Sequence, residues 1–150
     1  MIRLQHEPFD AGAETAALTA GRDDVGAVVS FQGIVRRGEG LEAVRAMTLE
    51  HYPGMTEREL ERIEAEAHAR WPLQATLVIH RYGRMAPGEP IVLVVCCSRH
   101  RRAAFDACAF LMDWLKTRAP FWKLEETAAG ARWVEATAGD EAAAARWSEP

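Results

Sequence analysis

The chain has 150 residues, 49% hydrophobic and 27% charged, with a net charge of −4 and a sequence pI near 5.7. That length suits one domain, residues 1–150, burying roughly 70% of the surface its unfolded chain exposes. Its acidity offers no global positive field to attract nucleic acid or an anionic membrane, so any bound anion must be held by a local cluster.

The opening MIRLQHEPFD lacks the charged start and apolar run of a signal peptide, and the most apolar stretch, 91–97, is too short to span a bilayer. Residues 10–20 read as a short Ala-rich helix, and 26–35 (GAVVSFQGIV) as a strand. After the loop RRGEG, residues 43–52 make a second strand, expected as the hairpin partner of the first. Pro53-Gly54 turns the chain, and Thr56 with Glu59 reads as a capping box opening a helix to Arg70. Leu73 to Tyr82 and Pro90 to Ser98 read as strands around the turn APGE. A helix follows from Ser98 to Lys116, with Ala104, Cys108, Leu111 and Leu115 as its core stripe. Beyond Pro120 come two short strands, 121–127 and 132–136, then a helix at 141–147 within a small tail, 138–150. Strands interleaved with helices and hairpins predict an α+β fold with a mixed or antiparallel sheet and packed helices.

Three cysteines, with Cys96 and Cys97 adjacent in a strand, point to reduced, buried thiols in a cytoplasmic protein. No H-x-H, H-x3-H or C-x2-C spacing occurs, so no metal site is expected. Glu50 and His51 are strand neighbours pointing to opposite faces, and His80 reads as a hydrogen-bonded structural residue.

Two stretches concentrate charge. In SRHRRAAF, Arg99, His100, Arg101 and Arg102 crowd a helix N-terminus, where the macrodipole disfavours cations. A bound anion would reverse that sign; a solvated basic patch is the alternative. In GIVRRGEG, Arg36 and Arg37 leave a strand between glycines, either near a ligand or at an ordinary hairpin tip. In DWLKTRAPFWKLEE, Lys116 and Lys123 lie among aromatic side chains. A desolvated ammonium beside another cation loses its proton more readily and becomes a usable base or nucleophile. Lys116 in a last helical turn and Lys123 facing water is the bland reading. From His100 to Lys116 the helix spans about 24 Å. One copy therefore cannot bring both ends to one small molecule, and a symmetric dimer can.

Taken together, GAVVSFQGIVR, LEHYPGMTERELERI, ARWPL, VIHRYG, HRRAAFDACAFLMDWLKTRAPFWKLE and RWVEA resemble the large, catalytic subunit family of molybdopterin synthase, from about Asp24 to Ala136. The resemblance implies an α/β-hammerhead-like fold and a homodimer core of a heterotetramer. Each copy would carry a small ubiquitin-like sulfur-carrier subunit with a C-terminal Gly-Gly thiocarboxylate. Sulfur would pass from that tail to cyclic pyranopterin monophosphate, giving the dithiolene of molybdopterin without any resident cofactor. Carried over residue by residue, the catalytic lysines fall on Lys116 and Lys123 and the loop arginine on Arg36. The substrate-binding pair falls on His100 and Arg101, with backbone contacts around Ile34, Val35, Leu124 and Glu125. Thr137 stands where the family carries a basic residue. A dimeric pterin-phosphate carrier or assembly scaffold would use the same arginines without needing both lysines. An RNA-binding module would want exposed stacking aromatics, and the tryptophans read as core-like.

Overall fold

The computed structural model describes residues 1–148. In chain order the elements are β1 (Ile2–Gln5), α1 (Ala11–Thr19), β2 (Ala27–Ile34), β3 (Val44–His51), α2 (Met55–Arg70), β4 (Leu73–Arg81), β5 (Gly83–Met85), β6 (Pro90–Ser98), α3 (Arg101–Arg118), β7 (Phe121–Thr127), β8 (Gly130–Val134) and α4 (Ala138–Ala145). They build two four-stranded sheets, ordered β1-β4-β6-β2 and β5-β3-β7-β8. The first is mixed, because β1 runs parallel to β4 while β4 and β2 pair antiparallel with β6. The second is antiparallel throughout. The α+β architecture expected from the sequence is the one observed.

β4 and β6 read as nearly continuous apolar runs because both faces of the first sheet are covered. On one face Val78, Val92, Val94 and Cys96 meet Leu60 and Ile63 of α2 and Phe110 and Leu111 of α3. On the other, Leu77, Ile79, Leu93, Val95 and Cys97 pack against Phe9, Ala11, Leu18 and Val25. All three cysteines are buried and unbridged. A third cluster, Val35, Val44, Met47, Leu49 and Met85, fills the inner face of the second sheet. Among the described residues no helix is long and apolar enough to cross a membrane.

Several local expectations need correction. β2 and β3 are not a hairpin: β2 pairs with β6, and β3 with β5 and β7. The intervening segment crosses between sheets, and the 86–89 turn holds its start: Val35 N–H donates to the Glu89 carbonyl at 2.9 Å, and Gly88 N–H to the Val35 carbonyl at 2.8 Å. Alternating polarity fixes which face a strand buries and is silent about its neighbour.

The cap of α2 lies two residues earlier than Thr56. Gly54, at φ +84°, takes the N-cap, a conformation that Cβ-bearing residues resist. Glu57, not Glu59, reaches back to the Gly54 N–H at 2.5 Å; Glu59 instead pairs with Arg62. Likewise α3 starts at Arg101 with His100 as N-cap. Ser98 remains in β6, its hydroxyl donating to the Pro72 carbonyl at 2.8 Å. Gly26 is required where β2 begins, since a Cβ there would lie 2.2 Å from the Arg99 carbonyl oxygen.

The short strands β1 and β5 are additional to the elements expected from the sequence, β8 starts at Gly130 rather than residue 132, and α4 begins at Ala138. Residues 149–150 of the expected tail lie outside the described residues.

Candidate active site

The lysines converge because a helix end and a strand start are joined by only Ala119 and Pro120. Lys116 lies in the last turn of α3. Pro120 cannot extend the helix, so the chain reverses into β7, where Phe121 and Lys123 stand opposite His51 and Leu49 of β3. Strand alternation places Phe121, Lys123 and Glu125 on one face, toward the space between the two sheets.

That space is a cavity of about 1060 Å³. Ile34, Val35 and Arg36 enter it from the end of β2, Lys116 from α3, Lys123 and Glu125 from β7, and Asp140 from α4. Lys123 is half-buried and Lys116 exposed. Burial first, and then the neighbouring Lys116 charge, hold the Lys123 ammonium below the usual lysine range, while Glu125 and Asp140 pull the other way. A base made more available by desolvation and a second cation is what general acid–base or nucleophilic chemistry uses. Asp140 is itself held low, first by the Thr137 backbone N–H and with smaller help from both lysines.

Six of the nine residues expected from the sequence therefore meet in one cavity: Ile34, Val35, Arg36, Lys116, Lys123 and Glu125. Leu124 does not line it; its place is opposite Thr48 and Trp133 in the sheet, so its backbone alone could serve a ligand. His100 and Arg101 are exposed at the far end of α3, about 24 Å from Lys116 by helical rise. Within one copy the structure does not bring them to the lysines. Among the described residues no three His, Cys, Asp or Glu side chains gather as metal ligands would.

The tryptophans divide. Trp114 is buried and Trp71 and Trp147 pack against the same core, but Trp122 and Trp133 are 48% and 59% exposed and flank the cavity. Their core-like reading is corrected: exposed aromatic surface of this kind beside a cavity marks a contact face. Sequence reasoning also missed Asp140, although Thr137-x-x-Asp140 is a reciprocal cap whose spacing was readable. His80, set aside as structural, lines the same cavity; nothing in the one-dimensional pattern signalled that.

A family model described as MoaE protein matches residues 4–118. The molybdopterin synthase catalytic subunit of Pseudomonas aeruginosa is 58% identical over 148 residues, covering 99% of each chain. That of Mesorhizobium japonicum is 59% identical over 148 residues, covering 97% of this chain and 92% of its own. The solved structure of the molybdopterin biosynthesis MoaE protein from Burkholderia ambifaria superposes with a TM-score of 0.84 at 50% identity, covering 100% of this chain and 99% of that one.

Proposed function

Because the chain belongs to the MoaE protein family, we propose that it is the catalytic subunit of a molybdopterin synthase. It takes sulfur from the C-terminal thiocarboxylate of a small ubiquitin-like subunit and delivers it to cyclic pyranopterin monophosphate. The observation that carries the reading is the cavity in which Lys116, Lys123 and Arg36 meet, with burial and the Lys116 charge depressing the Lys123 amine.

Both reactants are anionic, one through its thiocarboxylate and the other through its cyclic phosphate. Lys116, charged and exposed at the cavity, suits electrostatic capture of the tail. Lys123, whose proton is more easily lost, suits proton transfer as the thiocarboxylate sulfur bonds to a pterin side-chain carbon while that carbon's bond to a phosphate oxygen breaks, opening the cyclic phosphate to a monoester. A second transfer, to the adjacent carbon, expels its oxygen as water. Water then cleaves the acyl–sulfur bond, leaving sulfur on the pterin and a carboxylate on the tail. An oxyanion at the acyl carbon would be stabilised by whichever ammonium is protonated at that moment. No step draws on a resident metal or cofactor; the pterin is substrate throughout.

The phosphate falls to His100 and Arg101 of a second copy, placed at the α3 N-terminus where amide groups and guanidinium share an anion. The assembly is then a homodimer carrying one small subunit per copy, working in the cytoplasm. Exposed Ile34, Trp122 and Trp133 around the cavity supply apolar contact for an extended tail.

The test mixes this protein with a thiocarboxylated ubiquitin-like partner and cyclic pyranopterin monophosphate, and assays dithiolene product. Turnover is expected for the unaltered protein and its loss in Lys116→Ala and Lys123→Ala. Retained ligand binding with no turnover in the unaltered protein would identify a carrier instead.

A further inference from the structure

One buried titratable side chain of the cavity has no part in that mechanism. His80 is 5% exposed, yet it lines the cavity with Lys123. Its ring stacks on Phe121, centroids 4.0 Å apart and planes 20° from parallel, and Phe121 stands two residues before Lys123 on the same strand face. Nδ1 lies 2.9 Å from the Arg81 carbonyl oxygen. A carbonyl only accepts, so Nδ1 carries the proton and Nε2 of the neutral ring is left as a lone-pair acceptor. Among the described residues Nε2 has no partner, and it is absent from the buried polar atoms left without one. It therefore keeps some accessible surface, on a side chain that lines the cavity.

We propose that His80 is a positioning residue for Lys123, its Nε2 accepting a hydrogen bond from the Lys123 amine once reactants close the cavity to water. The inference rests on the functional reading above for its catalytic consequence, and on geometry alone for the contact. The charged groups sharing the cavity with Lys123 are Lys116 from α3, Glu125 from β7, Asp140 from α4, Arg36 after β2 and Glu135 after β8; His51 of β3 adds its influence at His80. Glu125 and Asp140 are anions, and a hydrogen bond to either would pin the proton on the amine. A neutral imidazole accepts from an ammonium and, more weakly, from a neutral amine, so it favours the charged form less than a carboxylate would. Lys123 can therefore surrender and regain a proton without losing its place. Burial keeps the ring neutral, pushing His80 down to about 4.

The variants separate the two ring nitrogens. His80→Gln offers an acceptor where Nε2 stood, His80→Asn keeps a donor for the Arg81 carbonyl but has nothing at Nε2, and His80→Phe keeps only the stack. Lysine Cε resonances followed by NMR across pH, in the protein saturated with a small ubiquitin-like partner ending in an ordinary, unreactive carboxylate, report Lys123 with the cavity closed and with no need of turnover. The expected result is a downward shift of the Lys123 titration in His80→Phe and His80→Asn, because an acceptor of the charged form is lost, and a near-native titration in His80→Gln. In the reconstituted reaction kcat should fall about tenfold or more in the first two at little change in KM. An unchanged Lys123 titration in all three variants overturns the proposal, as does activity lost in all three in step with thermal stability. If the unaltered protein makes no dithiolene while the titration still shifts as described, the functional reading fails and the contact stands.

Discussion

Lys123 shows how a single residue's environment sets both chemistry and stability. Its ammonium is destabilised first by burial and then by Lys116, so the folded protein holds that proton less tightly than the unfolded chain does. Where the unfolded state binds more protons, stability rises with pH. The destabilising contribution is thus full below the folded-state value and disappears as pH rises to the ordinary lysine value of about 10.4. Lys123→Met keeps the apolar stem and removes the charge. It should unfold at a higher temperature than the unaltered protein at about pH 7, with the gap narrowing by about pH 10 as the native lysine discharges. Dithiolene formation should fall at least about 100-fold in the same variant. Equal melting temperatures across that range would mean that the amine is solvated. The sequence made Lys116 and Lys123 visible as cations among aromatic side chains, but it could not show which of them is desolvated. That depends on the pairing of Lys123 with Leu49, a residue 74 positions earlier in β3.

The first turn of α2 holds the start of β7 through Thr56. Its buried hydroxyl contacts the Tyr52 carbonyl at 3.0 Å and the Pro120 carbonyl at 3.3 Å, and accepts the Tyr52 N–H at 3.0 Å. Thr56→Val preserves shape but leaves buried polar groups unpaired, a loss of roughly 1–3 kcal/mol. Urea unfolding should show it as a lower midpoint at constant slope. Since Pro120 leads directly into Phe121 and Lys123, turnover should fall more than the loss of folded protein explains. Elements that bury much of their length are legible: α2 and α3 carry a helical period over 16 and 18 residues, and β4 and β6 are apolar runs of nine. β1 and β5, of four and three residues, are too short to carry a period. Caps were misplaced for a related reason: Thr56 has the composition of a cap, but its hydroxyl is taken by Tyr52 and Pro120, contacts that exist only after the chain has turned. Glycine could then take the position by its backbone freedom.

The residues proposed to bind anions lie at opposite ends of α3, an arrangement that two copies of the chain could bring together. The helix of 18 residues separates Arg101 from the lysines by more than 20 Å or so, and rigid secondary structure cannot shorten that. In a two-fold dimer each cavity would combine Lys116 and Lys123 of one copy with His100 and Arg101 of the other. This gives a complementation test. Arg101→Ala and Lys123→Ala, each prepared alone, should be nearly inactive, because every cavity then lacks one group. Unfolded and refolded together, they should recover activity. Random pairing makes half of the dimers mixed, and each mixed dimer holds one cavity with both wild-type groups and one with neither. Recovery should approach about a quarter of the unaltered activity. Cavities completed within a single copy would give no recovery at any mixing ratio. The outcome therefore turns on one geometric fact, that the two ends of a straight helix cannot grip the same small anion.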